Sequence, residues 1–190
     1  MSAEQIHFEI EGIRPLLMHS SRLVDPLDDI AIGLRRLTAK RDKTAADHEE
    51  IARTEWFGGL WLNEGQPCIP AEAIESAFIA AAKSKRKGKA GKAGFLCADP
   101  ATLRYDGPRD VEELWADRSF RFRYPVNVAG SRTMRTRARF PTWRATVCAE
   151  FLPTVLNRRD VIEILEIAGS REGLGDWRPK FGRFTVKVLD

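Results

Sequence analysis

Eight arginines and no acidic residue lie between positions 118 and 144. Guanidinium groups stay charged at any working pH and present a planar fork of donors that matches phosphate oxygens. Arg121 and Arg123 alternate with Phe120, Phe122 and Tyr124, which places both on the polar side of a strand. If residues 132–139 are also extended, Arg132 opens a ladder in which Arg135, Arg137 and Arg139 share one side. Successive rungs then stand about 7 Å apart, close to the phosphate repeat of a stretched single strand. So much like charge is unfavourable to assemble unless a partner neutralises it, so a polyanion is the expected ligand. A solvated face balanced by acids on neighbouring strands is the alternative.

Two further stretches have a ligand-binding composition. Residues 83–92 carry six cations, Lys83, Lys85, Arg86, Lys87, Lys89 and Lys92, and no acid. Lysines set among glycines read as a flexible basic loop. Residues 168–184 set Gly169, Gly173, Gly175 and Gly182 among Arg178, Lys180 and Arg183. Glycine at positive φ lets backbone N–H groups approach a ligand, and the interleaved cations suit phosphate. Trp177 and Phe181 in the same loop can stack on bases or enter the core. The stretch also reads as a helix C-cap followed by a connection.

His7, His19 and His48 are the histidines of the chain. His19 follows an apolar run and is succeeded by Ser20 and Arg22, a position suited to a general base or to a phosphate donor. No paired-acid arrangement, P-loop or HExxH sequence occurs, and Asp25, Asp28 and Asp29 read as helix N-terminal charge rather than a metal site. Cys68, Cys97 and Cys148 form no CxxC pair, so neither a zinc site nor a disulfide framework is indicated. The expectation is a non-enzymatic protein without cofactor or metal. At 190 residues and net charge +4 it fits one domain, and no apolar run approaches the roughly 20 residues of a membrane helix. With no signal peptide legible, a cytoplasmic protein without a membrane partner is expected.

The elements that must position these groups are legible from periodicity. Residues 5–11 alternate strictly, as a half-buried strand does. Asp25 and Pro26 read as the N-cap and first residue of a helix carrying Leu27, Ile30, Leu34 and Leu37. Thr44 with Asp47 forms a capping box for a second helix, residues 60–69 a hairpin, and Pro70 the start of a helix with Ala73, Ile74, Ala77, Phe78 and Ala81 on one stripe. A short strand is expected near 102–105 and longer ones at 119–128 and 143–151. Asn157 caps a helix, and 184–189 closes the chain as a strand. Together these predict an α+β fold of ferredoxin or RRM type. Its antiparallel sheet has helices on one face, and a long helical insertion over 24–94 ends in the basic loop at 83–94.

With that order in place, Gly173-Leu174-Gly175-Asp176-Trp177-Arg178-Pro179-Lys180-Phe181-Gly182 resembles the C-terminal glycine-rich loop of the RAMP superfamily of CRISPR-associated RNA-binding proteins, with one residue more between the last two glycines. Residues 14–20 look like that family's first-strand exit. The similarity is to the backbone-subunit branch that polymerises along guide RNA, and a stand-alone or phage-encoded relative would share it. The resemblance implies a single domain over 1–190 that coats single-stranded nucleic acid, RNA in preference to DNA, by self-assembly. Its contacts would be phosphate-based, sequence-tolerant and salt-dependent. Its partners would be single-stranded RNA or DNA and further copies of itself. A metal-independent endoribonuclease of the same superfamily using His19, which leaves 2′,3′-cyclic phosphate ends, is one alternative. A protein-interaction adaptor or inhibitor is another.

Overall fold

Strict alternation of apolar and polar residues produces β1 (Glu4–Gly12), the strand around which the larger sheet of the computed structural model is built. The structure describes residues 2–128 and 130–189. After β1 come β2 (Leu16–Met18), α1 (Asp29–Ala39), α2 (Ala45–Gly59), β3 (Leu62–Asn63), β4 (Gln66–Ile69), α3 (Ala71–Ser84) and α4 (Gly88–Gly94). Then follow β5 (Phe95–Leu96), β6 (Ala101–Thr102), α5 (Val111–Ala116), β7 (Arg121–Val128), β8 (Ser131–Phe140), β9 (Arg144–Phe151), α6 (Arg158–Ile167) and β10 (Phe184–Val188). The fold is α+β with antiparallel sheets. The chain divides into two compact units, one of Met1–Leu16, Leu62–Asp106 and Pro141–Asp190, the other of Leu17–Trp61 and Gly107–Phe140.

In the first unit the sheet runs in the order β10-β1-β9-β5. β1 and β9 register from Glu4 opposite Phe151 to Glu11 opposite Arg144, which sets Ile6, Phe8 and Ile10 against Ala149, Val147 and Ala145. All six are at most 1% exposed. Each large apolar side chain so buried contributes about 1.5–3 kcal/mol. α3 reaches this layer through Phe78, whose ring stacks on Phe95 of β5 at 3.8 Å, and it also packs on α6. The other side of β1 and β9 carries Glu9, Glu11, Arg144 and Thr146, a mixed polar surface. β3 and β4 are joined by Glu64 at φ 50° and Gly65 at φ 77°, the two left-handed positions a tight hairpin turn requires.

In the second unit β7 and β8 form a hairpin over eight rungs within a sheet ordered β2-β8-β7. α2 packs on β8, and its Trp56 is wholly buried, donating from Nε1 to the Phe120 carbonyl at 2.8 Å. α1 starts three residues later than the sequence predicts. The Asp28 carboxylate accepts the Ile30 and Ala31 N–H groups and caps the helix, while Asp25 holds the Leu27 N–H in a turn outside it. Leu27 is accordingly 84% exposed instead of packed. α2 starts where expected, on the Thr44–Asp47 capping box. A hydrogen bond from Lys40, reinforced by Thr44, pulls the Asp47 carboxyl down to about 2. Because its pKa is lowered on folding, the stabilisation is complete above the ordinary carboxylate value and is lost as pH falls from about 4 through 2. Asp47→Asn is therefore expected to melt below the wild type at neutral pH, with the gap closing across that acid window in circular-dichroism melts.

Candidate nucleic-acid interface

The basic segment expected as a loop is a helix–turn–helix. α3 runs to Ser84, Lys85–Lys87 turn with Arg86 at φ 58°, and α4 follows. The Lys87 N–H returns to the Ala82 carbonyl at 2.8 Å. Gly88, Gly91 and Gly94 recur every third residue, and the last two are buried. A Cβ on Gly91 would stand 3.0 Å from the Ala82 Cβ and 3.4 Å from the Phe78 ring, so glycine suits the close approach of α4 to α3. Lys85 pairs with Glu163 at 2.5 Å and Lys87 pairs with Asp160, both on α6. These two lysines are anchors. Lys83, Arg86, Lys89 and Lys92 are exposed, and no described acid pairs with any of them. With Ser76, Ile79 and Ala80 they line an open groove of about 860 Å³. Sequence reasoning missed this floor, although Ser76, Ile79, Ala80 and Lys83 follow one another at helical spacing beside the core stripe.

The glycine-rich loop is closed on itself. Four of its N–H groups bond to backbone carbonyls: Gly173 to Ala168 at 2.8 Å, Leu174 to Gly182 at 2.9 Å, Phe181 to Trp177 at 3.2 Å and Gly182 to Pro15 at 2.8 Å. Those donors are spent on loop closure instead of facing a ligand. The arrangement ties the loop to the exit of β1, where the Ile13 and Arg14 N–H groups both reach the Arg183 carbonyl. What the loop presents outward is side chain. Trp177 is 42% exposed, its ring centre lies 5.6 Å from that of Phe181, and Lys180 Nζ stands 4.7 Å above it. Arg178 is exposed as well, whereas Arg183 is half-buried and its Nε has no hydrogen-bond partner. Arg14, which the sequence did not single out, is exposed beside this loop.

The arginine series does not form one ladder. Cross-strand pairing sets Arg123 opposite Thr136 and Arg132 opposite Asn127, while Arg135 and Arg137 stand opposite Tyr124 and Phe122. Residues directly opposite point to the same side, so Arg121, Arg123 and Arg132 share one face and Arg135, Arg137 and Arg139 the other. The second set is largely internal. Glu55, 2% exposed, accepts from Arg135 at 2.6 Å and from the Thr136 N–H at 2.8 Å. Arg137 is 7% exposed and donates to the Thr136 carbonyl, and the Arg139 Nε is buried. Arg121 is held by Glu49 at 3.6 Å, by the Ala116 carbonyl and by the Trp115 ring at 4.2 Å. Arg123 and Arg132 remain exposed, with no described acid paired to either.

The cluster after β2 is structural in two of its three members. Ser20 donates its N–H to Gly59 and accepts the Arg22 N–H on Oγ, and Arg22 is held by Asp28 at 2.9 Å. The Arg22 hydrogen bond lowers the Asp28 pKa in turn. His19 is half-buried. Burial pushes the Cys97 thiol up to about 12 and that of Cys68 to about 11, so neither is a thiolate at neutral pH. Among the described residues no group of three or more His, Cys, Asp or Glu could hold a metal ion, and no helix is long and apolar enough to cross a membrane. No protein-family model and no curated protein matches this sequence.

Three substitutions test these assignments. Gly182 sits at φ 71° with a would-be Cβ 1.8 Å from the Leu174 carbonyl oxygen. Gly182→Ala is expected to cost about 3 kcal/mol or more in urea denaturation. Gly33→Ala, in α1 with nothing within 4 Å, should stabilise by about 0.5–1 kcal/mol. Glu55→Ala strands the Thr136 N–H and unpairs Arg135, an expected loss of about 2–4 kcal/mol in the same measurement.

Proposed function

We propose that the protein binds single-stranded nucleic acid, RNA in preference to DNA, as a non-enzymatic cytoplasmic subunit that coats the strand by self-assembly. The observation that carries this reading is the α3–α4 groove. Lys83, Arg86, Lys89 and Lys92 surround an apolar floor with no described acid to neutralise them, while Lys85 and Lys87 are consumed in holding the groove's shape. Four point charges along an open trough suit a flexible polyanion and carry no base-reading geometry, so binding is sequence-tolerant. The Trp177–Phe181–Lys180 cap adds an aromatic face of the kind that unpaired bases stack on.

The antiparallel order β10-β1-β9-β5, with α3 leading into β5 and α6 between β9 and β10, is the order a ferredoxin-like sheet has, and it supports kinship with the RAMP superfamily. β10 ends that sheet, and its outer edge is a natural place for a second copy to add.

Filter binding of labelled poly(U) and poly(dT) at about 50 and 200 mM salt tests the reading. Affinity should fall steeply with salt. Replacing Lys83, Arg86, Lys89 and Lys92 by Glu should lower the slope of log affinity against log salt by about 3, at roughly 0.7 per lost single-strand contact. Weak binding that ignores salt, or a slope untouched by the four substitutions, rejects it.

A further inference from the structure

The second unit holds a cavity of its own. α1, α2 and the β7–β8 hairpin enclose an open cleft of about 940 Å³, at the upper end of the roughly 300–1,000 Å³ over which small-ligand sites range. Ala31, Leu34, Ala52 and Met134 give it an apolar lining. Both acids that reach it are engaged, Glu55 by Arg135 and Thr136, and Glu49 by Arg121. Arg123 and Arg132 also line it, and neither has a described acid partner. The cleft thus combines apolar surface with two uncommitted guanidinium groups.

Strand register fixes how those groups are spaced. On one face of the hairpin, successive rungs are Arg123 with Thr136, Pro125 with Met134, and Asn127 with Arg132. Arg132 therefore stands four residues along β7 from Arg123, about 14 Å at 3.4 Å per residue. Between them lies the Pro125–Met134 rung, with Met134 43% exposed. Two cations flanking an apolar step at twice the spacing of adjacent same-face residues correspond to two phosphodiester repeats of an extended strand with a base between them.

We propose that this cleft binds a trinucleotide segment of single-stranded nucleic acid, its first and third phosphates on Arg123 and Arg132 and an intervening base over Met134. The ligand class rests on the single-strand reading above, but the site is chemically separate from the α3–α4 groove. Isothermal titration with the 5′-phosphorylated trinucleotide pUpUpU, with inorganic phosphate as the control, tests it. Arg123→Ala and Arg132→Ala should each weaken trinucleotide binding about tenfold, and Met134→Glu should abolish it. All three side chains are exposed, and matching circular-dichroism melts confirm that the variants fold. Equal affinity in the double arginine variant, no binding by the wild type, or phosphate binding as tight as the trinucleotide overturns the proposal. Failure here with poly(U) binding intact rejects the cleft alone, whereas trinucleotide binding without salt-dependent poly(U) binding rejects the coat reading alone.

Discussion

Lys85 with Glu163 and Lys87 with Asp160 join the α3–α4 turn to α6, and the position of every other cation in that segment depends on them. Half-exposed pairs of this kind contribute at most about 1 kcal/mol each. Their effect is geometric. They act with the Lys87 N–H bond to Ala82 and the close glycine contact at Gly91 to hold a short, glycine-rich helix against α3. Lys89 and Lys92 then face the same trough as Lys83 and Arg86. Six cations in ten residues are thus divided in kind, two that build and four that are left over.

The same division runs through the second unit. An arginine on β8 can be a rivet or a contact, and the nearest carboxylate decides which. Glu55 reaches β8 from α2 and satisfies a guanidinium and a backbone N–H with one carboxylate. A buried acid without those donors would be costly, and so would an unpaired Thr136 N–H. Arg135 is therefore committed to holding α2 against the hairpin. Arg123 and Arg132, on the opposite face, are not.

Periodicity carried much of the fold. β1, β9, α3, α6 and the closing strand lie where alternation or helical spacing puts them, and both the Thr44 and Asn157 caps form as their side chains suggest. Three features were not legible, each for a nonlocal reason. The sequence reading caps α1 with Asp25, whereas Asp28 caps it, held in place by Arg22. The two-faced split of the arginines depends on strand register, which local alternation within β8 alone does not supply. α4 reads as a flexible basic loop because glycine and lysine suggest one by composition, whereas the helix packs on α3, with Gly91 against Ala82 and Phe78. The glycine loop was legible as a special backbone but not in its use, because whether its N–H groups face a ligand or each other depends on Pro15, far away in sequence.

The three-residue recurrence of Gly88, Gly91 and Gly94 has a consequence for how this surface can change. Glycine occupies the positions where α4 meets its neighbours, and lysine and alanine fill the positions between. Packing and charge are therefore written on separate letters of the same short helix. The number of positive groups lining the trough can drift up or down by exchange at positions 89 and 92, which are exposed, while the glycines keep the packing contacts. The converse does not hold. A side chain added at Gly91 presses on Ala82 and Phe78, the contacts through which α4 lies against α3.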